Sequence, residues 1–322
     1  MFKQTSWRKV LFEYGALLAA LLVLVAVFSL QTQHFFSLTT LRTIASQIPD
    51  AMLLAVGMTF VMIAGGIDLS VGSVLALSGA VLGYCLSQWH WPLGLAVLAG
   101  LFAGLLCGLV NGCITVRWRL PSFIVTLGML EIARGATYLT TNSRTLYLGG
   151  AIERIHNFAP LGVSLPFLIA LTVVALAHFS LTRTVCGRYL MAVGANEEAT
   201  RYAGINPTPI KAAVFTLSGL LAAGAAILQC ARLSAADPNA GTGAELQAIA
   251  ACVIGGTSLS GGKGSVVSTF IGVLLIAVLS SGLAQSGVAE PTRRLVTGCV
   301  ILAAVVLDAY RARFSAKEMR QD

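Results

Sequence analysis

The sequence has few charged residues, and this scarcity decides the class of protein. Only 11% of its 322 residues are Asp, Glu, Lys or Arg, whereas soluble domains carry about 25%. No charge occurs from Leu69 to Val116, a stretch longer than two bilayer-spanning helices of about 20 residues each. Soluble, disordered, collagen-like and disulfide-scaffold proteins are therefore excluded. Because the apolar runs lack the alternation of membrane β-strands, the sequence predicts an all-α polytopic membrane protein.

Residues that hold metals, cofactors or nucleotides are also sparse. The four histidines have no chelating spacing, and no C-x-x-C occurs among the seven cysteines, so no metal site is predicted. The segment around Lys263 is not a nucleotide-binding P-loop. That motif needs Gly where Thr257 stands and Ser or Thr where Gly264 stands. A serine nucleophile at Ser258 would need a base within hydrogen-bond reach, but every histidine lies far upstream, at or before His178. The sequence therefore argues against an intramembrane enzyme. We therefore expect no catalytic residue and no cofactor on this chain.

Ten apolar segments bounded by charges or turn residues are interpreted as membrane helices. They lie near 14–30, 44–66, 70–87, 93–116, 121–140, 165–182, 212–231, 245–258, 265–284 and 294–308. The first segment is interpreted as a retained helix rather than a signal peptide. Since 51–67 and 246–262 each contain only 17 uncharged residues, they are either full crossings or broken, re-entrant helices. Eight to ten crossings are compatible with the sequence, in one transmembrane domain spanning 1–322.

The distribution of Lys and Arg predicts the orientation. With the N-terminus in the cytosol, fourteen of these residues fall on the inner side and six on the outer side, as the positive-inside rule requires. Both termini are therefore expected in the cytosol. The net charge of +8 is spread over short loops, so it indicates contact with anionic lipid headgroups and not with nucleic acid.

The fourth segment contains a ladder of glycines. Gly100, Gly104, Gly108 and Gly112 follow one another at four-residue spacing and share one helix face. Such a face lets a neighbouring backbone approach closely. The ladder therefore predicts helix packing, and no chemistry is assigned to it.

The pattern G-G-x-x-L-S-x-G occurs twice, at 65–72 and at 255–262, each time between two apolar runs. Helix-breaking glycines and cap-forming Ser or Asp are typical of interrupted membrane helices, and repeats of such junctions are typical of transporters. A chance match of two Gly/Ser turns stays the alternative. The candidate helix-break and gating residues are Gly65, Gly66, Asp68, Ser70, Gly255, Gly256, Ser258 and Ser260. Asp68 is expected to cap the helix that follows it.

Two opposite charges lie inside the fifth segment. Glu131 and Arg134 are three residues apart, a spacing that places them on one helix face where they can neutralise each other. A structural ion pair and a role in transport are both compatible with this pattern, and the structural pair is at least as well supported.

The loop 182–211 is predicted to be cytoplasmic and to contain a short helix. Asn196 is a strong N-cap, Glu197 and Glu198 occupy the first turn, Arg201 lies near the end, and Gly204 suits the position after the helix. A helix from Glu197 to Ala203, about 10 Å long, is too short to be stable alone. We therefore expect it to be held by its loop and by a protein docked from the cytosol.

Seven motifs along nearly the whole chain carry a resemblance to a known family. They are GGIDLSVGS at 65–73, GRY at 187–189, NEEATR at 196–201, GIN at 204–206, ARLS at 231–234, GTG at 241–243 and GGTSLSGGKG at 255–264. In these segments the chain resembles the ribose-type permease subunits of bacterial ABC sugar importers.

The resemblance implies a translocation subunit of the bacterial inner membrane. It implies pairing with a second copy or a paralogue, delivery of sugar by a periplasmic binding protein, and drive from a cytosolic ATPase that holds ATP and Mg and acts through the 182–211 loop. The expected cargo is ribose or a related pentose. A stand-alone carrier that couples ions through Asp68, Glu131 or Glu245 is the alternative, but such a carrier has no need of the capped cytosolic helix.

Overall fold

The computed structural model describes residues 7–32, 35–160 and 163–300, together with Leu302, Ala303 and Val306. Its helices are α1 (Trp7–Gln31), α2 (Leu38–Ile63), α3 (Val71–Ser87), α4 (Leu93–Arg117), α5 (Ser122–Thr141), α6 (Gly150–Asn157), α7 (Leu165–Arg183), α8 (Val185–Ala195), α9 (Glu197–Tyr202), α10 (Pro207–Leu233), α11 (Ala244–Ile254) and α12 (Val266–Gln285). Two short strands, β1 (Leu146–Tyr147) and β2 (Ala235–Ala236), pair antiparallel. Residues 290–300 are also helical.

The helical, multi-pass architecture is confirmed, but the count of about ten crossings is not. Among the described residues, six helices are long and apolar enough to span a membrane: α1, α2, α4, α7, α10 and α12. The helices α3 and α11 are shorter, with 17 and 11 residues, and α5 has 20 residues but is not among these six. The segment predicted at 294–308 lies only partly within the described residues. The second segment is not broken, because α2 runs without interruption from Leu38 to Ile63.

The centre of the bundle is formed by α2 and α10, which pack against each other and are mostly buried. The helix α4 crosses α10 through the glycine ladder, as the four-residue spacing predicts. A Cβ at Gly104 would lie 2.5 Å from the Gly219 carbonyl oxygen, and a Cβ at Gly108 would lie 2.4 Å from the Phe215 carbonyl oxygen. Glycine at these positions therefore permits direct backbone contact between the two helices.

Contacts between helix ends define two ends of the bundle. At one end the Ile67 amide donates to the Ser122 hydroxyl at 2.9 Å, and the Gly262 amide donates to the Ile63 carbonyl at 2.9 Å. The helix ends, short helices and loops at this end carry Arg117, Arg119, Arg183, Arg188, Lys211 and Lys263, and we call it the basic end. The opposite end holds the β1–β2 pair.

Candidate functional site

The predicted cytoplasmic loop lies at the basic end and folds into two short helices that meet at Asn196. The Asn196 side-chain Oδ1 accepts a hydrogen bond from the Ala199 amide at 2.9 Å, which caps α9. Gly204 has a φ of +84°, and its amide bonds to the Arg201 carbonyl at 3.0 Å. Both caps are found where the sequence predicts them, and α9 ends at Tyr202, one residue earlier than predicted.

The surface of α9 combines charge with an exposed aromatic ring. Glu197 pairs with Arg201 at 3.1 Å and with Lys211 at 2.5 Å, so it ties α9 to the start of α10. Glu198 is exposed, and Tyr202 is 90% exposed. The described part of the chain therefore does not bury these two side chains, and they are available to contact another protein.

The helix α8 packs backbone to backbone against both glycine-rich junctions. A Cβ at Gly194 would overlap the Ile63 carbonyl oxygen and lie 2.6 Å from the Gly262 nitrogen. A Cβ at Gly261 would lie 2.7 Å from the Gly194 oxygen and 2.9 Å from the Gly65 Cα. We call Gly65, Gly194, Gly261 and Gly262 the glycine contact. It joins the 182–211 loop, the α2–α3 junction and the α11–α12 junction at one point.

The helices α2 and α11 end in the same type of cap. After α2, Gly65 has a φ of +76°, and after α11, Gly256 has a φ of +79°. In each case the next amide, that of Gly66 or Thr257, bonds at 2.9 Å to the carbonyl five residues earlier. This left-handed cap favours glycine, which reaches positive φ without steric cost.

The alignment of the two junctions is wrong in one detail, because it pairs Gly66 with Gly256. Gly66 has no positive φ, and a Cβ there would lie 3.0 Å from the Phe215 ring. Gly255 likewise packs against the α12 backbone at 2.7 Å. Each junction thus has one glycine that turns the chain and one that permits close packing, but in opposite order. The internal repeat itself stays a prediction.

Alanine at Gly65 or Gly256 is expected to lower the free energy of unfolding by about 1 kcal/mol, because an L-residue in the left-handed region is strained. No atom lies within 4 Å of a Cβ at either position, so a clash does not contribute. Thermal unfolding in detergent measures the loss, and asparagine is expected to lose less. The matched control is Gly94→Ala, a helical glycine that also has open space. Wild-type stability of both alanine variants would contradict this account.

Asp68 links the first junction to two other helices. Its Oδ1 accepts from the Ser70 amide at 3.0 Å and from the Ser70 hydroxyl at 2.6 Å, while Oδ2 accepts from the Ser218 hydroxyl of α10 at 2.8 Å. Asn111 of α4 donates to the Ser70 hydroxyl at 2.9 Å. The expected cap of α3 is thus corrected: the carboxylate bonds Ser70, which precedes α3, and reaches across to α10.

The serines of the second junction act locally. The Ser258 hydroxyl accepts from the Ser260 amide at 3.2 Å, and the Ser258 amide donates to the Lys263 carbonyl at 3.0 Å. These bonds close the turn that presents Gly261 and Gly262 to α8. Their role is therefore to shape the glycine contact, unlike the interhelical role of Asp68.

The predicted ion pair between Glu131 and Arg134 is wrong. Arg134 instead donates through Nη1 to the carbonyls of Pro238 at 2.7 Å and Ala240 at 2.9 Å. Among the ion pairs of the described residues, none includes Glu131, which is exposed. The physical reason is that a non-helical segment beside α5 has carbonyls without helical partners, and the long guanidinium side chain satisfies them.

That segment, residues 237–243, runs along α3, which packs against the candidate spans α4 and α10. A Cβ at Gly83 would lie 2.9 Å from Ala236, and a Cβ at Gly241 would lie 3.0 Å from the Gly72 Cα. The two α3 glycines are eleven residues apart, or about 16 Å along the helix. The chain thus covers this distance along α3 without helical structure before α11 begins. The eighth predicted segment, 245–258, thus contains only the 11-residue helix α11, which is too short to be a candidate span.

Residues 40–305 match the family described as the permease component of the branched-chain amino acid transport system. The chain belongs to this permease family. It is 45% identical to the ribose import permease protein of Escherichia coli (strain K12), over 90% of this chain and 92% of that protein.

Two further relatives are named for other sugars. The chain is 34% identical to the fructose import permease protein of Rhizobium meliloti, over 93% of this chain and 86% of that protein. It is also 34% identical to the L-arabinose ABC transporter permease protein of Azospirillum brasilense, over 94% of this chain and 89% of that protein. No solved structure matches the chain significantly.

The permease contains an ion pair that sequence reasoning missed. Asp50 of α2 accepts from Arg232 at 3.0 Å and from Gln229 at 3.3 Å, both on α10. The signal is present in the sequence, because Asp50 is the sole charge in the predicted segment 44–66 and an intramembrane charge indicates a partner. The pair joins the two central helices toward the end opposite the basic end.

Proposed function

We propose that this permease is the membrane-spanning subunit of an ATP-driven importer that carries ribose or a related pentose into a bacterial cytosol. The observation that carries the proposal is its 45% identity to a ribose import permease over nine-tenths of the chain. Relatives named for fructose, L-arabinose and D-allose support a small sugar as the cargo. ATP and Mg are held by a separate cytosolic ABC ATPase, and a periplasmic binding protein delivers the sugar.

The geometry of the 182–211 loop supports coupling to that ATPase. The capped helix α9 presents Glu198 and Tyr202 outward, and α8 rests on both junctions through the glycine contact. A push on α9 is thereby passed to the ends of α2 and α11, which pack against each other in the core of the bundle. Residues 1–322 form a single transmembrane domain. A second copy of the permease, or a close paralogue, completes the translocation unit.

The proposed orientation places the basic end and both termini in the cytosol. A cysteine introduced at Glu198 is therefore expected to react with a membrane-impermeant thiol reagent in inverted vesicles and not in intact spheroplasts. The matched control is Glu153→Cys on α6, at the opposite end of the bundle, which should show the reverse pattern. Labelling of Glu198→Cys from the periplasmic side would contradict the topology.

Uptake by a reconstituted complex tests the function itself. The permease is purified with its associated proteins from its native membrane, placed in liposomes that contain ATP, and supplied with the binding protein and labelled ribose. We expect uptake that requires ATP hydrolysis and persists when ionophores remove ion gradients. Uptake that is independent of ATP and abolished by ionophores would instead establish the ion-coupled carrier.

A further inference from the structure

The exposed carboxylate of Glu131 lies in the middle of α5, which coincides with the predicted membrane segment 121–140 and packs against α3 and α4. It is the tenth residue of the 20-residue α5, about 15 Å from either end. It has no ion pair among the described residues. A charged side chain is strongly unfavourable at the centre of a bilayer, so this face of α5 is turned toward water or protein rather than toward lipid.

The residues beside Glu131 leave open space around it. Gly128 and Gly135 flank it at three- and four-residue spacing on the same exposed face, and Tyr138 continues that face. No atom lies within 4 Å of a Cβ at either glycine. The space beside the carboxylate is therefore open, and a molecule with several hydroxyl groups can approach it.

The non-helical segment 237–243 independently indicates water beside the same helix. The Tyr138 hydroxyl donates to Asn239 Oδ1 at 2.9 Å, and both Asn239 and Thr242 are exposed. Irregular backbone at membrane depth occurs where it is buried in protein or lines an aqueous cavity. Because these polar side chains are exposed, the second condition applies.

We infer that Glu131, Tyr138, Asn239 and Thr242 line the route of the sugar, and that the Glu131 carboxylate accepts hydrogen bonds from its hydroxyl groups. An ionised carboxylate accepts hydrogen bonds only, and these bonds are stronger than those between neutral groups. The amide and hydroxyl groups of the other three residues both donate and accept, which suits a polyol. This inference rests on the proposed function, since it names where the proposed cargo meets the chain.

The first test is independent of transport. Glu131→Cys and Leu176→Cys variants of the full complex are treated with a charged, hydrophilic thiol reagent, with the wild type as the baseline for native cysteines. Leu176 of α7 is 63% exposed and apolar, so its cysteine faces lipid. We expect reaction at Glu131→Cys, slowed by excess ribose with ATP and binding protein present, and no reaction at Leu176→Cys. An unreactive Glu131→Cys would overturn the inference.

The second test uses the reconstituted uptake assay. Glu131→Gln is expected to lower the maximal rate of ribose uptake about tenfold, through loss of one hydrogen bond to a charged group. The matched control Glu153→Gln, an exposed carboxylate on α6 at the end opposite the basic end, should leave uptake unchanged. If the Glu131→Gln complex loses its second permease copy on size exclusion, Glu131 pairs across an interface and the inference is wrong. Absence of ribose uptake by the wild type would refute the proposed function, while the cysteine reactivity would still decide whether this face is aqueous.

Discussion

Replacing Gly194 with alanine is expected to lower sugar uptake by about 5- to 150-fold, the range that typical coupling free energies produce. A Cβ at this position would overlap the Ile63 carbonyl oxygen and crowd the Gly262 amide, which form a hydrogen bond of 2.9 Å with each other. Backbone atoms cannot rotate away as a side chain can, so α8 must move off both junctions. The capped helix α9 would still fold, and the ATPase would still bind.

Assembly and transport must be measured separately for the Gly194 variant. We expect a complex of normal composition whose ATP hydrolysis no longer responds to the sugar-loaded binding protein. Gly94→Ala, in the open part of α4, is the matched control and should retain full uptake. Normal uptake by Gly194→Ala would show that the glycine contact does not transmit force. Loss of the ATPase from the complex would show that the contact serves assembly alone.

The features of this site that are local in sequence were predictable, and α9 shows why. An N-cap at Asn196, acidic residues in the first turn and a glycine at Gly204 specify a helix without reference to the rest of the fold. The observed helix differs from the predicted one by a single residue at its end. Membrane segments follow from composition for the same reason, although their boundaries shift by several residues.

Contacts between distant segments were not predictable from the same patterns. Spacing shows that Arg134 shares a helix face with Glu131, but it cannot show that the carbonyls of Pro238 and Ala240 lie nearer. Those carbonyls are free only because residues 237–243 are non-helical, which depends on packing against α3. Gly194 illustrates the same limit, since nothing near it in sequence indicates that it meets Ile63 and Gly262.

Alanine at Asp68 is expected to be strongly destabilising. The side chain is 1% exposed and accepts three hydrogen bonds, two from Ser70 and one from Ser218. Alanine would leave those buried donors without their acceptor, at about 1 to 3 kcal/mol for each unsatisfied group. We therefore expect a marked fall in the yield of folded protein and in the unfolding temperature. Asparagine, which keeps one acceptor oxygen, should lose less.

A double-mutant cycle with Ser218 separates this structural role from a direct role in transport. Ser218→Ala alone removes one of the three bonds and should cost less than Asp68→Ala. Because the two residues share a bond, the double variant should be less destabilised than the sum of the two single variants. The opposite result, wild-type stability of Asp68→Ala with loss of uptake alone, would place the carboxylate in the gating or ion-coupling machinery. In that case the ion-coupled carrier would regain support, since Asp68 is one of the residues on which that mechanism depends.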